Sequence, residues 1–573
     1  MSGPWTGYEL PTEPESYEEL VEGFDWRIPS TYNAADHVLS GDREAVALRH
    51  LPERGSDGRG TDDGDESSAP ARTLTYGDLA AASAALADRF RRAGIEAGDR
   101  VAVCLPQCPE LVVSQLAVLR LGGVVVPASM LLGDEAFAHL LDHSDAAALV
   151  VDERRLGVAE SVREAVPETT MSVRVDGDDG PLGGLGAVVE SREQSADPSM
   201  TETAPDEPAF VLYTSGTSSD PKGVVQGHQY LLGSLPGYHC WFGLFEASEA
   251  RAARVWTPSE WAWAGALFDV VFPTLALGGT VVSSVRRSGF DPEAALSLVR
   301  AQSVTHTFLP PTALRAIRRE TDPSPADVPE LDTVMCGGEH LPPTLADWAA
   351  GRLGATVNES YGQTEANALV GECKRVYPGT DDGLGRPYPG HEVRVVDESG
   401  AAVPTGEIGE IAVALPDPVV MRGYLDDPAA TAEVLDDGLL RTGDVGRFLD
   451  DGTLVHLGRA DDLVLSAGYR VSPLEVETAL EAHPAVAAAL VGGEPDPERG
   501  ERVLATVVPT DGATGDADLS AELQSFVAET LGRHKRPRRI EFADALPTTR
   551  TDKTDRSGGS GEPGHSGPVD DRD

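Results

Sequence analysis

The chain has 573 residues, 94 acidic and 46 basic side chains, a formal net charge of −48 and 40% hydrophobic residues, enough for several folded domains around a large core. That charge excludes nucleic acid and anionic membranes as partners, since both call for a basic face. The apolar segments are too long and too periodic for a disordered acidic chain, so the acidity reads as the hydrated surface of a halophilic protein. In a high-salt cytoplasm, screening weakens the self-repulsion of its carboxylates.

The N-terminus, "MSGPWTGYELPTEPESYEEL", has neither the basic nor the apolar region of a signal peptide. No apolar run reaches 18 residues, so no membrane span is expected. Residues 75 to 127 alternate helix and strand. "YGDLAAASAALADRFRRAG" has helical spacing, "DRVAVCLP" reads as a strand, "PELVVSQLAVLRLGG" is again helical and "VVVPA" a strand. This order favours a mainly parallel sheet. It returns in "DPEAALSLVRAQ" followed by "VTHTFLP". Gly-, Asp- and Ser-rich stretches at 53–72, 176–207 and 511–518 read as loops or insertions, and 557–573 as a disordered tail. From Asp461 onward a smaller unit of α+β order begins. The expected fold is therefore α/β: a large N-terminal multi-sheet domain (1–460) and a small α+β C-terminal domain (461–556). The five cysteines, Cys104, Cys108, Cys240, Cys336 and Cys373, are odd in number and contain no C-x-x-C pair, which argues against a disulfide framework or a zinc site.

The stretch "YTSGTSSDPKGV" (213–224) carries the first chemical signal. Only four of the 46 basic residues are lysines: Lys222, Lys374, Lys535 and Lys553. A chain that uses lysine so rarely should place it where a compact charge on a flexible stem serves better than a planar fork. Backbone amides and hydroxyls in a Gly/Ser/Thr loop can wrap anionic oxygens, and a terminal lysine adds a point charge. That suits a polyphosphate; the plain alternative is a solvated turn. It is not a Walker A loop, because Lys222 lies between Pro221 and Gly223 where G-K-[ST] is required.

Four further segments follow in order: "NESYGQTEAN" (358–367), "RTGDVGRFLDDG" (441–452), "GRADDLVLSAGYRVSPLEVE" (458–477) and "LPTTRTDKTDR" (546–556). With the first loop, they resemble the AMP-forming adenylate-forming enzymes: acyl-CoA synthetases, peptide-synthetase adenylation domains and luciferases. The resemblance runs from about residue 20 to 556. It implies ATP, Mg²⁺ and coenzyme A as cofactor and co-substrates, an acyl-adenylate intermediate, and a monomer or homodimer, with the acidic composition that of a haloarchaeal member. By resemblance Thr214, Ser215, Gly216, Thr217, Ser218, Ser219 and Lys222 cover the β- and γ-phosphates. Gly338 and Glu339 lie by the adenine, as do Glu359, Ser360, Tyr361, Gly362 and Gln363, with Tyr361 stacking on the ring. Thr364 contacts the α-phosphate, Glu365 helps hold the metal, Asp444 accepts the ribose hydroxyls and Arg459 supports ribose and phosphate. Lys553, from the small mobile domain, would bridge the attacking carboxylate and the α-phosphate. Asp461 falls at the hinge, and Gly468 and Arg470 would face the site in the thioester step. One departure stands out: Asp552 replaces the usual glycine before Lys553, and Thr554 a usual apolar residue.

The place of the amino-acid-binding aspartate of peptide synthetases falls at Gly265, which argues against an amino acid substrate. Acetate-specific relatives carry tryptophan where this chain has Gly362, and "WTPSEWAWAGALFDVVFP" (256–273) resembles the medium-chain acyl-CoA synthetases. Trp261, Trp263, Gly265, Cys336 and Gly362 are the candidate pocket walls; for each tryptophan the alternative is ordinary core packing. The expected substrate is a medium-chain, branched or aromatic acid. The rivals are an acetate- or aryl-specific ligase of the same family, a catalytically weakened nucleotide-binding homologue, and a Walker-type ATPase.

Overall fold

The computed structural model describes residues 7–51, 71–155, 157–159, 171–174, 200–214, 221–285, 289–379, 383–497, 499–510 and 512–547. Lys553 with its neighbours Asp552 and Thr554, the loop residues Ser215, Gly216, Thr217, Ser218 and Ser219, and the tail 557–573 lie outside the described residues.

Strands form where the apolar runs lie. Val124–Pro127 and Ala148–Val151 are buried along their whole length, as central parallel strands covered on both faces must be. Both pair in parallel with Arg100–Cys104 within a seven-stranded sheet; Pro208–Tyr213 continues it in parallel beside Val124–Pro127, and Gly223–Gly227 and then Gly423–Tyr424 add antiparallel pairings at that edge. A nine-stranded sheet lies beside it. Its parallel centre runs from Thr356–Tyr361 through Thr333–Gly337, His306–Phe308, Arg254–Trp256 and Thr280–Ser284 to Val46–Leu51. The helix Tyr76–Arg92 starts at a capping box in which Thr75 Oγ1 accepts from the Asp78 amide at 3.0 Å and Asp78 accepts from the Thr75 amide at 2.9 Å.

A helical layer is shared by the two large sheets. Phe210, on the seven-stranded sheet, meets Phe268 and Phe272 at ring distances of 5.0 and 5.5 Å, and Tyr230 meets Phe268 at 4.5 Å. Tyr230 opens the helix Tyr230–Phe242, which is apolar all round and wholly buried. A Cβ on Gly233 would lie 2.6 Å from the Val419 backbone nitrogen, so only glycine lets the two segments touch. The same crossing holds a buried hydrogen-bonded histidine. His391 Nδ1 lies 2.7 Å from Asp417 Oδ2, and its Nε2 lies 3.1 Å from the Gly233 carbonyl, so the ring is held from both sides.

A five-stranded antiparallel sheet follows, built on Val393–Val396, Gly409–Ala414 and Leu439–Phe448, with Leu454–Arg459 on the last of these. The 3₁₀ turn Ala460–Asp462, which includes Asp461, leads to the small C-terminal domain. There the strands Val464–Ser466, Tyr469–Val471, Val486–Asp496, Gly500–Pro509 and Arg539–Phe542 carry the helices Pro473–Glu481 and Ala517–Thr530. The architecture is the expected one: a large multi-sheet α/β domain and a small α+β domain. Among the described residues no helix is long and apolar enough to cross a membrane.

Asp417→Ala leaves the buried Nδ1 of His391 without its partner and is expected to cost about 1–3 kcal/mol, read as a lower midpoint in denaturant titration.

Candidate active site

The parallel strands of the large sheets deliver their C-terminal ends to one region, where loops can carry ligand groups. Tyr213 and Gly223 are paired across an antiparallel hairpin, and the Thr214 amide donates to the Lys222 carbonyl at 3.1 Å. This pairing fixes both ends of the Ser/Thr/Gly loop and sets Lys222 at its exit. The Lys222 ammonium lies 4.8 Å from the centroid of the Tyr424 ring, a cation–π distance. The Tyr424 hydroxyl donates to Glu365 Oε1 at 2.8 Å. Burial raises the pKa of that hydroxyl, and the Glu365 charge adds to the effect, so it stays a donor. Lys222, Tyr424 and Glu365 thus form one chain of contacts that joins the loop exit to the candidate metal ligand.

Glu365 belongs to the turn after Thr356–Tyr361. The Gln226 amide donates to the Thr364 carbonyl at 2.7 Å, and the Met421 amide to the Glu365 carbonyl at 2.8 Å. At its other end the turn is held by Asp444. The Tyr361 hydroxyl and Gln363 Nε2 each donate to Asp444 Oδ2 at 2.6 Å, and Gln363 also reaches the Thr442 carbonyl at 3.0 Å. Asp444 is paired in register with Arg459, and His456 Nε2 stands 3.8 Å from its Oδ1. Burial pushes the Asp444 carboxyl up, but His456, the Tyr361 hydroxyl and Arg459 outweigh it and hold the group below the usual aspartate range. A carboxylate at this depth can accept two hydroxyl protons, which is the demand of a ribose diol.

The structure separates the remaining candidates. Gly338, with φ +78°, turns the chain at the end of Thr333–Gly337, and Glu339 approaches Arg315 at 3.7 Å. Glu359 points into the protein, where it accepts from the Leu341 amide at 3.1 Å; burial raises its pKa to about 8. It braces the Gly338–Leu341 turn from behind. Ser360 is buried on the same strand. Gly468, at φ +85°, makes the exposed turn between Val464–Ser466 and Tyr469–Val471, with Arg470 exposed beside it.

Among the pocket candidates, Trp261 is 1% exposed and packed in the main core, while Trp263 and Gly265 are partly exposed. Cys336 is corrected. It packs with Trp256, Leu309 and Leu314 in a second core cluster, whereas Gly265's neighbour Phe308 and the adjacent Met335 belong to the main core. Alternation along the strand sends Cys336 and Met335 to opposite faces, so Cys336 does not share a wall with Gly265. Gly362 does more than leave space: a Cβ there would lie 2.5 Å from the Ala368 amide nitrogen and 2.9 Å from the Asn367 carbonyl carbon. Sequence reasoning missed Gln226, Tyr424 and His456, whose roles arise from strand pairings distant in the chain. Nor did it single out Asp269 and Asn367, which are joined beside the candidate pocket residues Gly265 and Gly362.

The AMP-binding enzyme profile matches residues 61–425, and the AMP-binding enzyme C-terminal domain profile matches 475–553. The chain is 36% identical over 481 residues to a feruloyl-CoA synthase of Amycolatopsis sp, covering 84% of this chain and 92% of that protein. Its fold is similar to that of an acyl-CoA synthetase from Brucella canis, with a TM-score of 0.70, 29% identity and coverage of 95% and 98% of the two chains. A benzoate CoA ligase from Burkholderia xenovorans is also similar, with a TM-score of 0.77, 25% identity and coverage of 92% and 99%.

Asp444→Ala removes the charged acceptor on which this geometry converges. It is expected to weaken ATP binding by about tenfold or more in calorimetric titration, the value of a hydrogen bond to a charged group.

Proposed function

Because this chain belongs to the AMP-binding enzyme family, we propose that it is an ATP-dependent, AMP-forming acid–CoA ligase whose acid is aromatic, branched or medium-chain. The observation that carries this reading is the Gly362–Glu365 turn, held between Asp444 on one side and Gln226 and Tyr424 on the other, with Lys222 beside it. In the first half-reaction a carboxylate oxygen attacks the α-phosphorus of ATP, the bond to the β-phosphate oxygen breaks, and pyrophosphate leaves. In the second, the sulfur of coenzyme A attacks the acyl carbonyl and AMP leaves.

Asp444 holds the ribose and Lys222 meets the terminal phosphates. Glu365, hydrogen-bonded to the Tyr424 hydroxyl, would hold Mg²⁺ together with the nucleotide's own phosphates and water. Bound there, the ion would neutralise charge developing on the phosphates. Lys553 would act in the first half-reaction, brought to the α-phosphate by rotation of the small domain about Asp461. Gly468 and Arg470 would serve the second. The named activities of the feruloyl-CoA synthase and the benzoate CoA ligase favour an aromatic acid.

The test is AMP release in high KCl with Mg²⁺, ATP and coenzyme A, across acids from acetate to decanoate and with benzoate and cinnamate. AMP with the larger or aromatic acids is the expected outcome; acetate used far better than hexanoate or benzoate would overturn the pocket reading. ATP bound with no AMP from any acid would instead favour the weakened homologue, and Asp552→Gly would then restore turnover if the Lys553 segment is at fault.

Lys553→Ala is expected to lower acyl-adenylate formation by about 10²–10³ while sparing thioester formation from supplied acyl-adenylate. Equal loss in both half-reactions would refute the two-conformation account.

A further inference from the structure

Gly265 and Gly362, two of the candidate pocket residues, lie near one buried polar pair. A Cβ on Gly265 would stand 3.2 Å from Asp269 Oδ2 and 3.5 Å from the Phe308 ring, and a Cβ on Gly362 would meet the backbone of Ala368 and Asn367. Asp269 and Asn367 are themselves joined: Asn367 Nδ2 donates to Asp269 Oδ1 at 2.5 Å. No hydrogen bond to the other oxygen, Oδ2, is seen among the described residues, and Asp269 keeps 6% of its surface exposed, so that oxygen is not sealed from solvent. Trp263, Ala264 and Gly265, earlier in the same segment, are partly exposed. The backbone departs from regularity here, since Leu267–Val271 is a π-helical turn, a feature that concentrates at functional sites. The surroundings are aromatic: Phe308 faces Gly265, and Phe268 packs on Tyr230 at 4.5 Å. Burial raises the Asp269 carboxyl to about 7, with the Asn367 bond opposing the shift.

An acid bound against Gly265 would displace water from Oδ2, and the oxygen is then costly unless the acid supplies a donor in its place. Resting on the ligase reading above, we propose that Asp269 is a specificity-determining residue. Asn367 fixes one of its oxygens, and the other accepts a hydrogen bond from a hydroxyl on the bound acid, so that the enzyme selects hydroxylated aromatic acids over their unsubstituted counterparts. The selection works as a difference: the hydroxyl satisfies Oδ2, whereas a bare ring leaves it desolvated and unpaired. Apolar walls alone discriminate weakly between such analogues; a polar group that needs its partner discriminates strongly.

The test is the ratio of kcat/KM for AMP formation with hydroxycinnamates and hydroxybenzoates, each bearing the hydroxyl at the 2, 3 or 4 position, to that with cinnamate and benzoate. The protein as it stands is expected to favour at least one hydroxylated position by about tenfold or more. Asp269→Leu is expected to bring that ratio close to one or invert it. The isosteric Asp269→Asn gives a second reading if the leucine variant folds poorly, and is expected to reduce the ratio. Because the readout is a ratio, a uniform loss of active protein cancels. A purely structural Asp269–Asn367 tie would lower both rates together and leave the ratio unchanged, which would overturn the inference. So would equal use of hydroxylated and bare acids by the unaltered protein, with the ligase reading left standing. No AMP from any acid would overturn the ligase reading and this inference with it.

Discussion

The clasp of Tyr361 and Gln363 on Asp444 is the interaction on which the rest of the site depends. Taking an aspartate carboxylate out of water is expensive unless donors replace the lost solvent. Here two donors at 2.6 Å, with the His456 ring nearby and the Arg459 charge on the paired strand, do so. They also tie the end of Thr356–Tyr361, on the nine-stranded sheet, to Leu439–Phe448 of the five-stranded sheet. Gln226 and Tyr424 tie the same turn to the seven-stranded sheet. Thr364 and Glu365 are thus suspended between three sheets. A ribose diol arriving at Asp444 would meet a carboxylate already charged and oriented, with ordered donors to share it.

Electrostatics explains why so acidic a protein can gather anions there. Lys374 is engaged with Glu372 at 2.9 Å, and Lys535 with Glu475 at 2.6 Å, so both are structural. Lys222 forms no salt bridge among the described residues; its ammonium rests near the Tyr424 ring instead. An aromatic face steadies a cation without neutralising it. A cation held in this way could still meet an anion, so for a polyphosphate the local placement of this ammonium at the loop exit would matter more than the net charge of the molecule. At high ionic strength the distant carboxylates are screened, while a contact at a few ångströms is screened much less.

Much of this was legible in the sequence, for definite reasons. Alternating helix and strand gave the parallel sheets, because fully buried strands such as Val124–Pro127 must be apolar throughout. Tyr361, Gln363, Glu365 and Asp444 could be singled out because each lies in a short motif, although the bonds that join Tyr361 and Gln363 to Asp444 cross 83 and 81 residues and are seen only in the fold. Tyr424 and His456 could not be: each is carried to the site by a strand pairing, Gly423–Tyr424 on Gly223–Gly227 and Leu454–Arg459 on Leu439–Phe448. Cys336 failed on parity, since the side of a strand that faces a pocket is set by register and one residue reverses it. Asp269 was hidden for another reason. An acid in a long apolar run looks like an interruption until its partner, Asn367, 98 residues later, is seen beside it.

The join between the domains follows from the same loops. The small domain leans on the large one through polar contacts: His340 Nε2 lies 2.8 Å from Thr478 Oγ1, Ser472 Oγ donates to the Leu457 carbonyl at 2.6 Å, and Arg315 stands 3.9 Å from Glu481. Single hydrogen bonds and long ion pairs contribute little each, so they can be exchanged for others at modest cost. An apolar contact joins the two domains too: Leu463 packs on Val445, Val455 and Leu457, and separating it exposes surface that water penalises in proportion to area. His340 and Glu339 belong to the turn that carries Gly338, and Arg315 reaches both Glu339 and Glu481. The turn assigned to the adenine therefore also touches the small domain. A nucleotide that settles this turn would bear directly on where the small domain rests, with no longer path needed between the two.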